Sequence, residues 1–260
     1  MKPSFLLIAS VLLFFILFFG FSKIPLEVRN PEKSGVSQIE NADLIAETNQ
    51  IRDSLNPNDR DYLDLMEKQV ATAPDDSTKR MGLQQLSAYW YRMGYIKIAA
   101  EYALRIAQLY PSGETWSIAA SNFVLAARQE ALTPEKKADA VEKAKAAFRQ
   151  ASQVDSANLN HRINYALLCT DFPSQDQPME GILQLRELNE KYPDNVPVLY
   201  HLARLAVQTN QWDRAKERLT TLLKLEPGHQ RGICLMASVA KQEGDKKNEA
   251  FWSAKCQLEN

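Results

Sequence analysis

The sequence predicts an all-α solenoid of helix-turn-helix repeats behind an N-terminal transmembrane helix, and three observations carry this. Ala, Leu, Glu, Lys and Gln dominate after residue 40 and glycine is scarce at 9 of 260 residues, a helix-forming vocabulary. Apolar residues recur every three or four positions, the spacing of one helix face. The dipeptides Tyr192-Pro193 and Glu226-Pro227 frame a stretch, NVPVLYHLARLAVQTNQWDRAKERLTTLLKLEP, whose bounding prolines lie 34 residues apart. A lone hairpin of that size cannot bury its apolar face, so copies of it must stack.

Composition sets the remaining limits. A chain with 45% hydrophobic residues has ample material for a core. With 31 basic and 32 acidic residues the net charge is -1, so no global basic field exists to hold nucleic acid. Cys169, Cys234 and Cys256 form no CxxC or CxxCH pair, which argues against metal knuckles and covalent haem. They read as small buried hydrophobes on helices, with a single bridge left open.

At the N-terminus, residues 1–4 form a short n-region, and Phe5 to Phe21 is an uncharged run of 17 residues with six phenylalanines. It would extend roughly 25 Å as a helix, near the lower limit for a bilayer. Residues 5–22 are therefore expected to anchor the chain, the alternative being a cleaved signal sequence. Lys23, Arg29 and Lys33 favour a cytoplasmic domain by positive charge, whereas the Met-Lys start before an apolar run favours export; the expected placement is inner membrane, with the repeats on the periplasmic side. Residues 23–57 read as a stalk with a helix over 38–55 carrying Ile39, Ala42, Ile45, Ile51 and Leu55, either a cap on the stack or a short coiled-coil seam.

Residues 58–260 hold the repeats. Asp59 to Thr72 is the second helix of an incomplete unit. Unit 78–111 packs Leu83, Leu86 and Trp90 against Ala99, Ala103 and Ile106, with Gly94 at the turn. Unit 113–156 uses Trp116, Ala119, Ala120 and Phe123, then Ala144, Phe148 and Ala151, with an insertion whose Thr133-Pro134-Glu135 starts a helix. Unit 159–193 uses Tyr165, Ala166 and Cys169, then Ile182, Leu185 and Leu188, around a longer loop, DFPSQDQP. Unit 196–227 faces Leu199, Leu202, Ala203 and Ala206 to Ala215, Leu219 and Leu222, with Trp212 at the turn. Unit 230–260 offers Ile233, Met236, Ala237 and Ala240, then Ala250-Phe251-Trp252, and loses the pattern at the end, as terminal repeats do.

The pattern Leu83, Leu86, Trp90, Ala99, Ala103, Pro111 resembles the tetratricopeptide repeat, and the resemblance covers about residues 60 to 255. Ser87, Ala120, Ala166, Ala203 and Ala237 stand where that family prefers glycine. The resemblance implies a groove lined by the first helix of each pair that accepts a polypeptide. Its positions here are Met81, Gln84, Ala88, Tyr91 and Arg92; Ser117, Ser121 and Val124; Ile163, Leu167 and Thr170; and Tyr200, Arg204 and Gln208. Of these, Gln84, Tyr91, Arg92, Tyr200, Arg204 and Gln208 are the candidate partner-binding residues, because Tyr and Arg anchor interfaces. The Lys and Asn of the family's chaperone clamp are not supplied by Gln84 and Ala88.

No catalytic residue, metal site or cofactor is expected. His161, His201 and His229 stand apart without an HExxH frame, and GxGxxG, P-loop and GxSxG motifs do not occur. Asp75-Asp76 reads as a helix cap. The expected role is a membrane-tethered protein-protein interaction scaffold in envelope complex assembly or client handling. The alternative is an accessory or homo-oligomeric structural domain, similar in plan to cytochrome c maturation subunits with a repeat domain.

Overall fold

The computed structural model describes residues 35–129 and 131–257, with side chains from Leu44 onward. Residues 1–4, the apolar run 5–22 and residues 23–34 of the stalk lie outside the described residues. Among the described residues no helix is long and apolar enough to cross a membrane.

The described residues form twelve helices and no strand: α1 Gly35–Arg52, α2 Pro57–Ala71, α3 Asp76–Arg92, α4 Ile96–Leu109, α5 Gly113–Ala127, α6 Pro134–Val154, α7 Leu159–Asp171, α8 Glu180–Lys191, α9 Val196–Gln208, α10 Trp212–Leu225, α11 Gln230–Gln242 and α12 Lys246–Gln257. Thr48 onward is one compact unit, distinct from the segment that ends at Glu47. Within it each helix packs chiefly on the next along the chain. α1 starts earlier and stops earlier than the expected 38–55. Its last turn is tied to α2 by Arg52, which pairs with Asp64 at 3.0 Å and Glu67 at 2.6 Å.

The ends of the helices are written locally. Asn56, Asp75, Ser112, Thr133, Asn158 and Asn195 each accept a hydrogen bond from a backbone N–H in the first turn that follows, satisfying donors the helix itself cannot. Ser112 and Thr115 do so reciprocally. α4, α7, α8 and α10 stop at Tyr110, Phe172, Tyr192 and Glu226, which share φ near −130°. Each precedes a proline, whose ring excludes the helical conformation from the residue before it.

Three hairpins turn through the same device. Gly94, Asn210 and Gly244 have φ of 84°, 58° and 73°. In each case the next residue's N–H bonds back to the carbonyl of Trp90, Ala206 or Ala240, closing a left-handed cap. The second helices repeat a small residue followed at four and seven positions by two more inward-facing ones: Ala99, Ala103, Ile106; Ala144, Phe148, Ala151; Gly181, Leu185, Leu188; Ala215, Leu219, Leu222. All except Gly181, which has no side chain, are core side chains. Gly181 replaces the expected Ile182, which is half-buried. A Cβ at Gly181 would stand 2.3 Å from the Ala166 carbonyl oxygen and 2.6 Å from the Thr170 nitrogen, so α7 and α8 meet backbone to backbone there.

The core runs as linked clusters along the unit. Phe123, Phe148, Leu168 and Cys169 form one with Ala120, Ala144 and Tyr165. Leu185, Leu188, Val198 and Leu202 form the next, and Ala206, Ala215, Leu219, Met236 and Val239 the last. Each fully buried aliphatic side chain stabilises by about 1.5–3 kcal/mol before entropy is subtracted. In the last repeat Val239 is buried where Ala237 is half-buried, and Phe251 is 49% exposed while Trp252 packs on the final cluster.

Two cysteines depart from the expected buried hydrophobes. Cys234 of α11 is disulfide-bonded to Cys256 of α12, with Cα atoms 5.0 Å apart, and Gln230 donates to the backbone oxygens of Lys255 and Cys256 beside it. A pattern search had nothing to find here, because the two positions belong to different helices of a degenerate hairpin. Cys169 is free and buried.

Candidate functional site: the face of the first helices

The first helices α3, α5, α7, α9 and α11 alternate with their partners, and their outer residues line two cavities and a cationic cluster. The first cavity, about 220 Å³, lies between α3 and α5 and includes Gln84, Ala88, Tyr91, Ile118 and Asn122. Ile106 of α4 forms its floor. Ser87, also on its wall, donates to the Ala99 carbonyl of α4 at 2.8 Å. Tyr91 is 46% and Met81 52% exposed. Arg92 ends α3 in solvent.

The second cavity, about 410 Å³, lies between α5 and α7, with Ser117, Ser121, Asn160, Asn164, His161 and Asp155 among its walls. His161 is only 4% exposed. Its Nδ1 lies 2.6 Å from Ser117 Oγ and its Nε2 lies 3.4 Å from Asp155 Oδ2. An ionised carboxylate only accepts, so in the neutral ring Nε2 carries the proton towards Asp155 and Nδ1 accepts from the Ser117 hydroxyl. The ring fits because residue 113 is glycine: a Cβ there would stand 2.8 Å from His161 Nε2.

This corrects the sequence reading of unit 159–193. Ile163, expected in the groove, is 2% exposed and sits in the core, whereas its neighbour Asn164 lines the cavity. The expected packing residues Tyr165, Ala166 and Cys169 are buried, so the register of α7 stands and the difference is that Ile163 turns inward. Leu167 and Thr170 are half-buried, and Thr170 spends its hydroxyl on the Ala166 carbonyl. Ser117, Ser121 and Val124 of α5 keep some exposure.

The third feature is on α9 and α11, around Tyr200. His229 caps α11 by accepting from the Gly232 N–H at 3.0 Å, and its ring centroid is 5.3 Å from that of Tyr200. The Arg231 guanidinium lies over the Tyr200 ring at 5.6 Å. His201 Nδ1 and Arg204 Nε are sealed from solvent with no hydrogen-bond partner among the described residues. Burial, reinforced by the positive charge of Arg204 and Arg231, pushes the His201 pKa down to about 4. Gln208 ends α9 exposed to solvent.

Of the six candidate residues, Gln84 and Tyr91 therefore share a cavity, Tyr200 and Arg204 share a cluster, and Arg92 and Gln208 stand free at helix ends. The histidines taken as isolated are not: His161 joins a Ser/Asp pair, and His201 and His229 gather at Tyr200. Their partners sit on neighbouring helices, so no single-helix spacing announces them. Asp75 serves as the expected cap, and the Thr78 N–H bond holds its carboxyl below the usual range. Among the described residues no group of three His, Cys, Asp or Glu side chains could hold a metal ion.

Helix pairs repeated along the chain, each packed chiefly on the next, define a helical-repeat solenoid. Residues 175–239 match the family model described as Tetratricopeptide repeat. Among solved structures the chain is similar to PilF of Pseudomonas aeruginosa, at 19% identity and TM-score 0.50, over 70% of this chain and 76% of that one. It is also similar to MamA of Desulfovibrio magneticus RS-1, at 14% identity and TM-score 0.47 over 71% and 95%. YrrB, described as a TPR protein with an unusual peptide-binding site, is similar at 11% identity and TM-score 0.42 over 74% and 90%. No curated protein matches the chain. The first of these likenesses establishes the fold and nothing finer.

Proposed function

We propose that the chain is a membrane-tethered interaction scaffold that holds a partner polypeptide on its first-helix face, outside the cytoplasm. The observation that carries the binding reading is the pair of sealed, unpartnered polar atoms, His201 Nδ1 and Arg204 Nε, beside a half-buried tyrosine. Buried polar groups are ordinarily hydrogen-bonded, so two polar atoms without a partner mark a cluster that a bound polypeptide would complete once the side chains turn outward. The cavity at Gln84 and Tyr91 offers a second contact point on the same set of helices.

Tethering rests on the uncharged run Phe5 to Phe21. Placement outside the cytoplasm is supported by the Cys234–Cys256 pairing, since disulfides persist in oxidising compartments and are rare where thiols are kept reduced. The partner belongs to envelope complex assembly or to the handling of an exported client.

Site-specific photocrosslinking from Tyr91 and Tyr200 in intact cells tests the binding reading. A discrete crosslinked partner that is lost in the Tyr200→Ala, Arg204→Ala double variant supports it; crosslinks only to a second copy of this chain, unchanged in that variant, refute it. For placement, Ser34→Cys should react with a membrane-impermeant maleimide in intact cells. Labelling only after lysis puts the domain in the cytoplasm.

A further inference from the structure

We propose that Ser117, His161 and Asp155 act as nucleophile, general base and orienting acid, and that the chain hydrolyses small neutral esters in the cavity between α5 and α7. This activity is separate from the holding of a polypeptide and does not depend on it.

A serine hydroxyl is a weak nucleophile until a base within hydrogen-bond reach takes its proton, and the base in turn needs a third group to orient it. His161 Nδ1 lies 2.6 Å from Ser117 Oγ, and Asp155 Oδ2 lies 3.4 Å from Nε2. With the ring proton on Nε2, towards Asp155, the lone pair of Nδ1 faces the hydroxyl. The backbone of Gly113 holds both partners: a Cβ there would stand 2.6 Å from Asp155 Cβ and 2.8 Å from His161 Nε2. The base is buried, whereas the hydroxyl belongs to a half-buried residue on the cavity wall. A bond that only joined two helices would need neither the carboxylate on the far nitrogen nor the space beside the oxygen.

The same two helices supply donors for the charge that develops on the substrate. Ser121 lies one turn after Ser117 on α5, and Asn164 lies one turn after His161 on α7, so each shares a face with its neighbour. Both line the cavity, and neither side chain makes a hydrogen bond to another described residue. A hydroxyl and a side-chain amide are among the donors that stabilise a carbonyl oxygen as it becomes anionic. The walls include Glu114 and Asp155 but no lysine or arginine among the described residues, which disfavours anionic substrates. Ile118, exposed on the same wall, offers apolar contact for a short acyl chain. A volume of about 410 Å³ is within the range of small-molecule sites.

In the reaction Ser117 Oγ bonds to the ester carbonyl carbon while its proton passes to His161 Nδ1 and the carbonyl π pair moves onto oxygen. That pair returns, the C–O bond to the alcohol breaks, and His161 protonates the departing alcohol. Water then gives a proton to His161 as it attacks the acyl-serine, and the Ser117 oxygen leaves and recovers that proton. Each turnover converts ester and water to acid and alcohol. Asp155 touches no reacting atom and is a positioning residue.

The test uses the oxidised full chain in detergent, a rhodamine-labelled fluorophosphonate and p-nitrophenyl acetate. The fluorophosphonate should modify the chain at Ser117, read by peptide mapping. Hydrolysis of p-nitrophenyl acetate should fall about a hundredfold in Ser117→Ala and in His161→Gln. Asp155→Asn should slow labelling and hydrolysis about tenfold, and Asp155→Glu should recover part of that loss. Gly228→Ala should leave both reactions unchanged, and circular dichroism separates loss of activity from loss of fold. Mapping on the unsubstituted chain is independent of every variant, and absence of label at Ser117 there overturns the proposal. So does hydrolysis that persists in folded Ser117→Ala, or labelling of Ser117 at an unchanged rate in folded Asp155→Asn or His161→Gln.

Discussion

The hydroxyl of Ser117 lies 2.6 Å from Nδ1 of His161, forty-four residues further along the chain, and the bond joins the first helices of two successive repeats. With Asp155 on the other ring nitrogen, the buried imidazole is held at both ends. Ser117→Ala leaves Nδ1 without a donor and should cost about 1 kcal/mol; His161→Ala, which also opens a cavity, should cost about 2–3 kcal/mol. Chemical denaturation reads both, and equal effects would show that the serine bond is the whole contribution of the ring.

The glycines rank by what a Cβ would strike. Gly181→Ala drives a methyl into backbone atoms of α7, which cannot rotate away, and should destabilise by about 3 kcal/mol. Gly113→Ala meets the side chains of Asp155 and His161, which can shift, and should cost about 1–2 kcal/mol. At Gly228 nothing lies within 4 Å, and the same change should stay within about 0.5 kcal/mol. Melting temperatures of the three variants should fall in that order.

His201 makes the stack sensitive to acid. Its pKa is about 4 in the folded chain against 6.5 for an ordinary histidine. Between those values the unfolded chain binds the proton and the folded one does not, so stability falls as pH drops. The contribution is intact above pH 6.5 and declines towards pH 4. The ring is only half-buried, and solvent screening keeps the effect below the full linkage value. His201→Gln should flatten the slope of the unfolding midpoint across this window.

Reduction should act on one end of the stack. The Cys234–Cys256 bridge closes a loop of 22 residues, for which chain entropy predicts about 3 kcal/mol, and α12 has no buried residue of its own. Hydrogen exchange should rise in α12 after reduction and stay unchanged in α3 to α8. Burial holds the Cys169 thiol up at about 11, so iodoacetamide at neutral pH should add nothing to the oxidised protein and two groups to the reduced one.

Much of the repeat core was legible in the sequence because it is periodic. Leu83, Leu86, Trp90, Leu199, Leu202 and Leu219 fall on faces set by 3.6 residues per turn, and the prolines after Tyr110, Tyr192 and Glu226 mark where helices end. The face of the first helices was legible only in part. Tyr91 and Tyr200 follow from the repeat register, but Ile163 lies in the core while Asn164 beside it lines the cavity, a difference of one position that an apolar pattern does not resolve. His161 with Ser117, Arg231 with Tyr200, and Cys234 with Cys256 are contacts between helices, and no periodicity within one helix encodes them.

Helices that pack chiefly on the next along the chain give the unit after Thr48 short-range contacts throughout. Little loop-closure entropy stands between the unfolded chain and its first packed hairpin, and such topologies fold fast. A hairpin can dock on its predecessor as soon as it is made, without waiting for residues still to come. For a polypeptide made from its N-terminus onward, this order of assembly leaves only one unpaired helix face open at a time.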